Sequence, residues 1–137
     1  MRYHLLVVSL ASLLCVCLSD GLQAAEHTKE SIAAVKKNVA EDKAVLIDVR
    51  EQREWDAGHL AQAKLKPLSI LAARNGDPTE LLRDVPKDKI IYCHCKSGGR
   101  ALIACDVLKD LGFDVRALKP GFVDLVEAGF EKSKDAE

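Results

Sequence analysis

The fold class this sequence predicts is α/β: a three-layer sandwich in which a mainly parallel sheet of four or five strands carries helices on both faces. Three observations lead there. Short apolar runs alternate with segments of helical periodicity, the order a parallel sheet with crossover helices requires. Two of those runs, residues 44–49 and 90–94, are apolar with little interruption, as strands buried on both faces are. Finally, 48% of the 137 residues are hydrophobic, which is enough for one core and one domain.

The chain opens on Arg2 and His4, followed by an apolar stretch at residues 5–18 and then the small and polar residues Ser19 to Ala25. This is the layout of a secretory signal peptide at residues 1–24, with cleavage after Ala24 or Ala25. The expectation is an exported domain, periplasmic or secreted, occupying residues 25–137. An apolar run shorter than the roughly 20 residues that cross a bilayer predicts no stable membrane insertion after cleavage. Lipid attachment at Cys15 or Cys17 is disfavoured by the bulky Leu14 and Val16 before them. Cleavage would leave Cys93, Cys95 and Cys105 of the five cysteines, a set that cannot pair completely and so is no disulfide framework.

From there each element follows in order. Thr28 is placed to cap a helix in which Ile32, Val35 and Val39 recur at helical spacing while Lys36, Lys37 and Glu41 face water. Residues 44–49 form a strand, 51–57 a helical turn ended by Gly58 and His59, and Leu65, Leu68, Ile70 and Leu71 mark a strand end and a helical piece. Asp77-Pro78-Thr79-Glu80 reads as a helix start that buries Leu81, Leu82 and Val85. Residues 89–94 give the next strand, and residues 100–111 a helix with Ala101, Ala104, Cys105, Leu108 and Leu111 inward and Gly112 as its stop. A last strand at 114–118, a turn at Pro120-Gly121, a helix at 122–128 and a frayed charged tail at 131–137 complete the chain.

Charge is balanced, with 20 Lys and Arg against 21 Asp and Glu, so no basic field argues for nucleic acid or an anionic membrane. Anion binding has to be local, and the place for it is Cys95-Lys96-Ser97-Gly98-Gly99-Arg100. A strand feeds into this segment and a helix leaves it. A cysteine at such a junction faces backbone N–H groups and the positive end of a helix dipole, both of which favour the thiolate. Gly98 and Gly99 let the loop curl into an anion nest around the sulfur, and Lys96 and Arg100 add positive charge. The chemistry this suits is covalent catalysis, with Cys95 as nucleophile carrying either a phosphoryl group or a sulfur atom.

The loop resembles the active-site loop C-x-x-G-x-R of the rhodanese superfamily. Asp48-Val49-Arg50, Glu54-Trp55, Gly58-His59-Leu60 and Ala63 are similar to that family's upstream signature, and the resemblance covers about residues 43–130. It implies a single-domain sulfurtransferase in which Cys95 takes the outer sulfur of a donor such as thiosulfate, becomes a persulfide, and passes the sulfur to cyanide or a thiol. It also implies that Lys96, Ser97, Gly98, Gly99 and Arg100 bind the substrate, with no cofactor and no metal. The four residues between Cys95 and Arg100 match sulfur-transferring relatives, whereas related phosphatases have five. Gln62 replaces the usual glycine, and residues 120–125 lack the family's tryptophan. The alternative is a non-enzymatic persulfide carrier or protein-binding module. The partners expected are a small sulfur-donor anion, a thiophilic acceptor and, for either reading, a protein thiol.

Around this centre the bland assignments are a buried strand cysteine for Cys93, with His94 on the opposite face, and a core position for Cys105. Asp48 and Arg50 are expected to form an ion-paired frame, with or without Glu54, while His59 satisfies backbone groups and Trp55 anchors the core. Arg100 has two roles open to it: gripping the donor anion or tying the loop to a carboxylate.

Overall fold

The two most continuous apolar segments take the centre of the sheet because only there are both their faces covered. In the computed structural model, which describes residues 24–135, these are β1 (Ala44–Asp48) and β3 (Ile90–His94). The expected leader lies outside the described residues apart from Ala24. The short strands β2 (Ala63–Leu65) and β4 (Val115–Ala117) flank the central pair in the order β2-β1-β3-β4, and every pairing is parallel. His27 adds an isolated parallel bridge to Ala117, the trace of a fifth strand.

The pleat sends alternate residues of β3 to opposite layers. Ile91, Cys93 and Cys95 pack with α3 (Leu68–Leu71), α4 (Thr79–Leu82) and α5 (Gly99–Asp110), through Leu71, Leu82, Ala101, Ala104, Cys105 and Leu108. Tyr92 packs the other way, against Val35 of α1 (Ile32–Ala40) and Leu125 of α6 (Phe122–Glu127). The remaining helix, α2 (Gln52–Asp56), buries no residue and follows the carboxyl end of β1. Leu46, Ile47, Tyr92, Leu108 and Leu125 are at most 1% exposed. Each such burial contributes about 1.5–3 kcal/mol, so the sheet edges on which the site is built rest on a firm core.

The local expectations that fail do so for long-range reasons. Thr28 does not cap α1, because it lies four residues before the first helical residue, paired to the Ala117 carbonyl at 2.8 Å and with its hydroxyl accepting the Glu30 N–H at 3.3 Å; Ser31 is the cap, its hydroxyl accepting the Ala34 N–H at 3.2 Å. Leu111 is 38% exposed rather than inward, at the point where Gly112 turns the chain with a φ of 84°. Trp55 is half-buried outside both core clusters and stacks on His59, ring centroids 3.7 Å apart. The tail is not frayed throughout: Ala61 N–H donates to the Glu131 carbonyl and Ser133 N–H to that of His59, which holds Phe130 in the core.

Candidate active site

β3 ends at His94, and the next four residues must reverse direction into α5 before the sheet edge opens to solvent. Gly98 makes the reversal with φ 88° and ψ −24°, a left-handed conformation that glycine adopts at little cost. Its N–H donates to the Cys95 sulfur at 3.1 Å. A side chain there would also collide, since a Cβ would lie 2.7 Å from His27 Nε2 and 2.9 Å from the Lys119 carbonyl oxygen. α5 starts at the following residue and runs for 12 residues, so its unsatisfied N–H groups and positive dipole end lie at the loop.

The loop is held from behind by main chain. Phe122 N–H donates to the Cys95 carbonyl at 3.0 Å, and Gly121 comes so close that a Cβ on it would sit 1.8 Å from the Lys96 carbonyl oxygen. Asp124 fixes that glycine by accepting its N–H at 2.8 Å. A further hold comes from His27, whose Nε2 lies 3.2 Å from the Gly98 carbonyl oxygen. No local pattern announced this contact, because His27 and Gly98 are far apart in sequence and residues 24–29 have no apolar run.

Two arginines stand beside the loop, each committed to a carboxylate. Arg50 holds Asp48 through Nε and one terminal nitrogen at 2.7–3.0 Å, donates to the Gly58 carbonyl at 2.8 Å, and lies 4.5 Å from the centre of the Phe122 ring. This is the expected frame, without Glu54. Glu54 instead binds Arg100 bidentately at 2.5 and 2.8 Å, and the guanidinium pulls its carboxyl down to about 2. Of the two roles open to Arg100, the structure displays the tie to a carboxylate. His94 lies behind this frame, fully buried, with Nε2 3.7 Å from Asp48 Oδ2 and neither ring nitrogen hydrogen-bonded among the described residues. Burial pushes its pKa down.

The other cysteines have a different setting. Cys93 and Cys105 are wholly buried, and all three described cysteines are free. Burial, reinforced by a hydrogen bond with Cys105, pushes the Cys93 thiol well above its ordinary value, the opposite of what a nucleophile needs. His59 uses Nδ1 on the Trp55 carbonyl at 3.0 Å, a structural task.

Of the residues predicted for the site, Cys95 is 1% exposed, Gly98 is buried, Lys96, Ser97 and Gly99 are exposed, and Arg100 is half-buried. Lys96 separates two concavities. A cleft of about 230 Å³ is lined by Arg50, Glu54, Gly58, Lys96, Phe122 and Val123. A shallower one of about 440 Å³ runs past Lys96, Ser97, Lys119 and Pro120. A further apolar hollow of about 340 Å³, beside Leu82, Val85 and Phe113, shares no residue with the Cys95 loop.

The fold is a parallel α/β sandwich with a cysteine at a strand end, an N–H on its sulfur and a helix N-terminus beneath it, an arrangement suited to covalent group transfer. The chain belongs to the Rhodanese-like domain family, whose sequence profile matches residues 31–128. The putative sulfurtransferase YtwF of Bacillus subtilis is 33% identical over 94 residues, covering 68% of this chain and 84% of that protein. The probable adenylyltransferase/sulfurtransferase MoeZ of Mycobacterium tuberculosis is 37% identical over 82 residues, 59% of this chain; the match spans only 20% of that longer protein. Among solved structures, a human single-domain sulfurtransferase superposes with a TM-score of 0.60 at 21% identity, covering 77% of this chain and 96% of that one. A rhodanese-like domain protein from Staphylococcus aureus gives a TM-score of 0.58 at 25% identity, with 73% and 92% covered. The family is of sulfurtransferase type.

Proposed function

We propose that the chain moves a sulfane sulfur from an anionic donor such as thiosulfate, through a persulfide on Cys95, to a thiophilic acceptor such as cyanide or a thiol. The observation that carries this reading is the Gly98 N–H on the Cys95 sulfur, at the N-terminus of α5. In the first half-reaction the Cys95 thiolate attacks the outer sulfur of thiosulfate. A new S–S bond forms while the old one breaks, and sulfite leaves with the bonding pair. In the second, the acceptor attacks the terminal sulfur of the persulfide and the electron pair returns to Cys95. The attacking thiolate and the persulfide are both anions held in one loop, so the same N–H groups serve both halves of the cycle.

Lys96, exposed between the two concavities, steers donor and acceptor anions toward the loop. Ser97, Gly98 and Gly99 present main-chain N–H groups to the transferred atom, and Arg100 supplies charge that Glu54 partly neutralises. The near-complete burial of Cys95 favours donors that are small or that end in a slender sulfur-bearing arm. Export belongs to the same proposal, with residues 1–24 as a leader removed on secretion; N-terminal sequencing of the secreted protein tests it.

The experiment is intact-mass analysis of the purified protein after exposure to thiosulfate, with thiocyanate formation followed once cyanide is added. The expected result is about 32 Da added on Cys95, one sulfur atom, with none on the Cys95→Ser variant, and catalytic turnover. Stoichiometric loading without turnover assigns the persulfide-carrier role instead. Failure of every sulfane donor to load Cys95 overturns the reading.

A further inference from the structure

We infer that His27 is a positioning residue for sulfur transfer: by donating from Nε2 to the Gly98 carbonyl it aims the Gly99 N–H toward the Cys95 thiolate and the sulfur atom that thiolate goes on to carry. The inference rests on the sulfur-transfer reading above. A carbonyl oxygen only accepts, so the 3.2 Å contact requires the proton on Nε2.

The geometry turns on one peptide unit. Gly98 joins two peptide planes: the first carries the Gly98 N–H on the Cys95 sulfur, the second carries the Gly98 carbonyl and the Gly99 N–H. No described peptide bond is cis, so in the second plane the carbonyl and the N–H point in opposite directions. Drawing the carbonyl toward His27 therefore turns the Gly99 N–H away from His27. As the first N–H of α5, it points out of the helix N-terminus toward the loop. Among the described residues the Gly99 N–H has no acceptor, so it is free for a ligand. A glycine with positive φ has no side chain to fix the second plane. The other hold on its carbonyl is the Leu102 N–H at a long 3.3 Å. A hydrogen bond to the carbonyl also polarises the peptide and strengthens its N–H as a donor.

His27 is itself held from outside the loop. Thr28 N–H donates to the Ala117 carbonyl at 2.8 Å and Ala25 N–H to Asp106 Oδ1 at 2.7 Å, so a short strap runs from α5 to β4 with His27 on the loop between them. The strap precedes residues 31–128, which match the family profile.

Two substitutions separate donation from bulk. His27→Gln keeps an N–H donor and loses the ring; His27→Phe keeps the ring and loses the donor. Each is measured for thiosulfate:cyanide kcat and for the rate at which iodoacetamide alkylates Cys95. Removing a donor aimed at developing charge typically costs about a hundredfold or more; leaving it in place but loosely aimed should cost less, about tenfold. His27→Phe is expected to lose about tenfold in both rates, while His27→Gln stays within about twofold of wild type. A His27→Phe variant equal to or faster than His27→Gln overturns the inference, as does a loss shared by both that tracks their thermal stability. If no donor loads the wild type, the sulfur-transfer reading fails, whereas the ranking of alkylation rates still decides the role of His27.

Discussion

The two arginine–carboxylate pairs beside the Cys95 loop share their chemistry and differ in where they stand. In the Arg50–Asp48 pair the side chains are 6% and 0% exposed, and the arginine also carries the Gly58 carbonyl and packs on Phe122. In the Arg100–Glu54 pair they are 30% and 32% exposed. A pair sealed from water cannot lose one partner without stranding a charge, while one at the surface can fall back on solvent. The inner pair is therefore a fixed frame that joins the carboxyl end of β1 to the residues behind the loop, and the outer pair is an adjustable fitting on the first turn of α5.

The largest effect that would test this contrast is on stability. Asp48→Ala leaves Arg50 buried and alone, and should cost about 3–5 kcal/mol in urea unfolding. Replacing both partners by apolar residues, Asp48→Leu with Arg50→Met, should recover part of that loss, because no charge is then stranded. A double variant as unstable as Asp48→Ala would show that the frame acts through its hydrogen bond to Gly58 rather than through charge.

At the outer pair the same treatment should barely register in stability, about 0–1 kcal/mol for Glu54→Gln. Its expected signature is kinetic. Freed from Glu54, Arg100 becomes available to the donor, and the KM for thiosulfate should fall about twofold to fivefold, the equivalent of a surface ion pair. An unchanged KM with a reduced kcat would mean that Arg100 serves the loop only through its tie to Glu54.

The smallest effects are in the acid limb of stability. Glu54 has its pKa lowered to about 2 in the fold, against about 4.3 in an unfolded chain. Its stabilising contribution is therefore complete above about pH 4.3 and is lost as the pH falls toward 2. The gap between wild type and Glu54→Gln should close over that window. His94 acts at higher pH: burial lowers its pKa from about 6.5, so the unfolded chain takes up the proton first and stability declines as the pH drops below that value. In His94→Gln this upper part of the decline should be absent from pH-dependent unfolding curves.

Much of this arrangement was legible in the sequence because it is carried by short segments. The runs at 44–49 and 90–94 reported buried parallel strands. The glycines at 98 and 99 reported a curled loop, and the order of Asp48-Val49-Arg50 before the Cys95 loop placed both at one edge of the sheet. What could not be read depends on partners far along the chain. Thr28 looks like a cap until pairing with Ala117 draws its segment to β4 and the helix starts after Ser31, and the tail looks frayed until Leu60 and its neighbours pair with it. Arg100 had two plausible fates, and only the fold could put Glu54 within reach. His27 carried no signal, since a lone histidine in a segment without periodicity gives no hint of which backbone it will meet.

Gly121 has a consequence for how this domain can change. Main chain backs main chain behind the loop, with no side chain between Gly121 and the Lys96 carbonyl. The outline of the cradle is thus independent of which residues occupy positions 96 and 97, whose side chains face solvent. Those two positions can drift in charge, size and hydrogen-bonding character without moving the Gly98 N–H on the sulfur. The fold in effect separates a part that must not vary from a part that can. A small library at Lys96 and Ser97 is the natural place to evolve new donor or acceptor preferences, while Gly121 itself tolerates nothing larger.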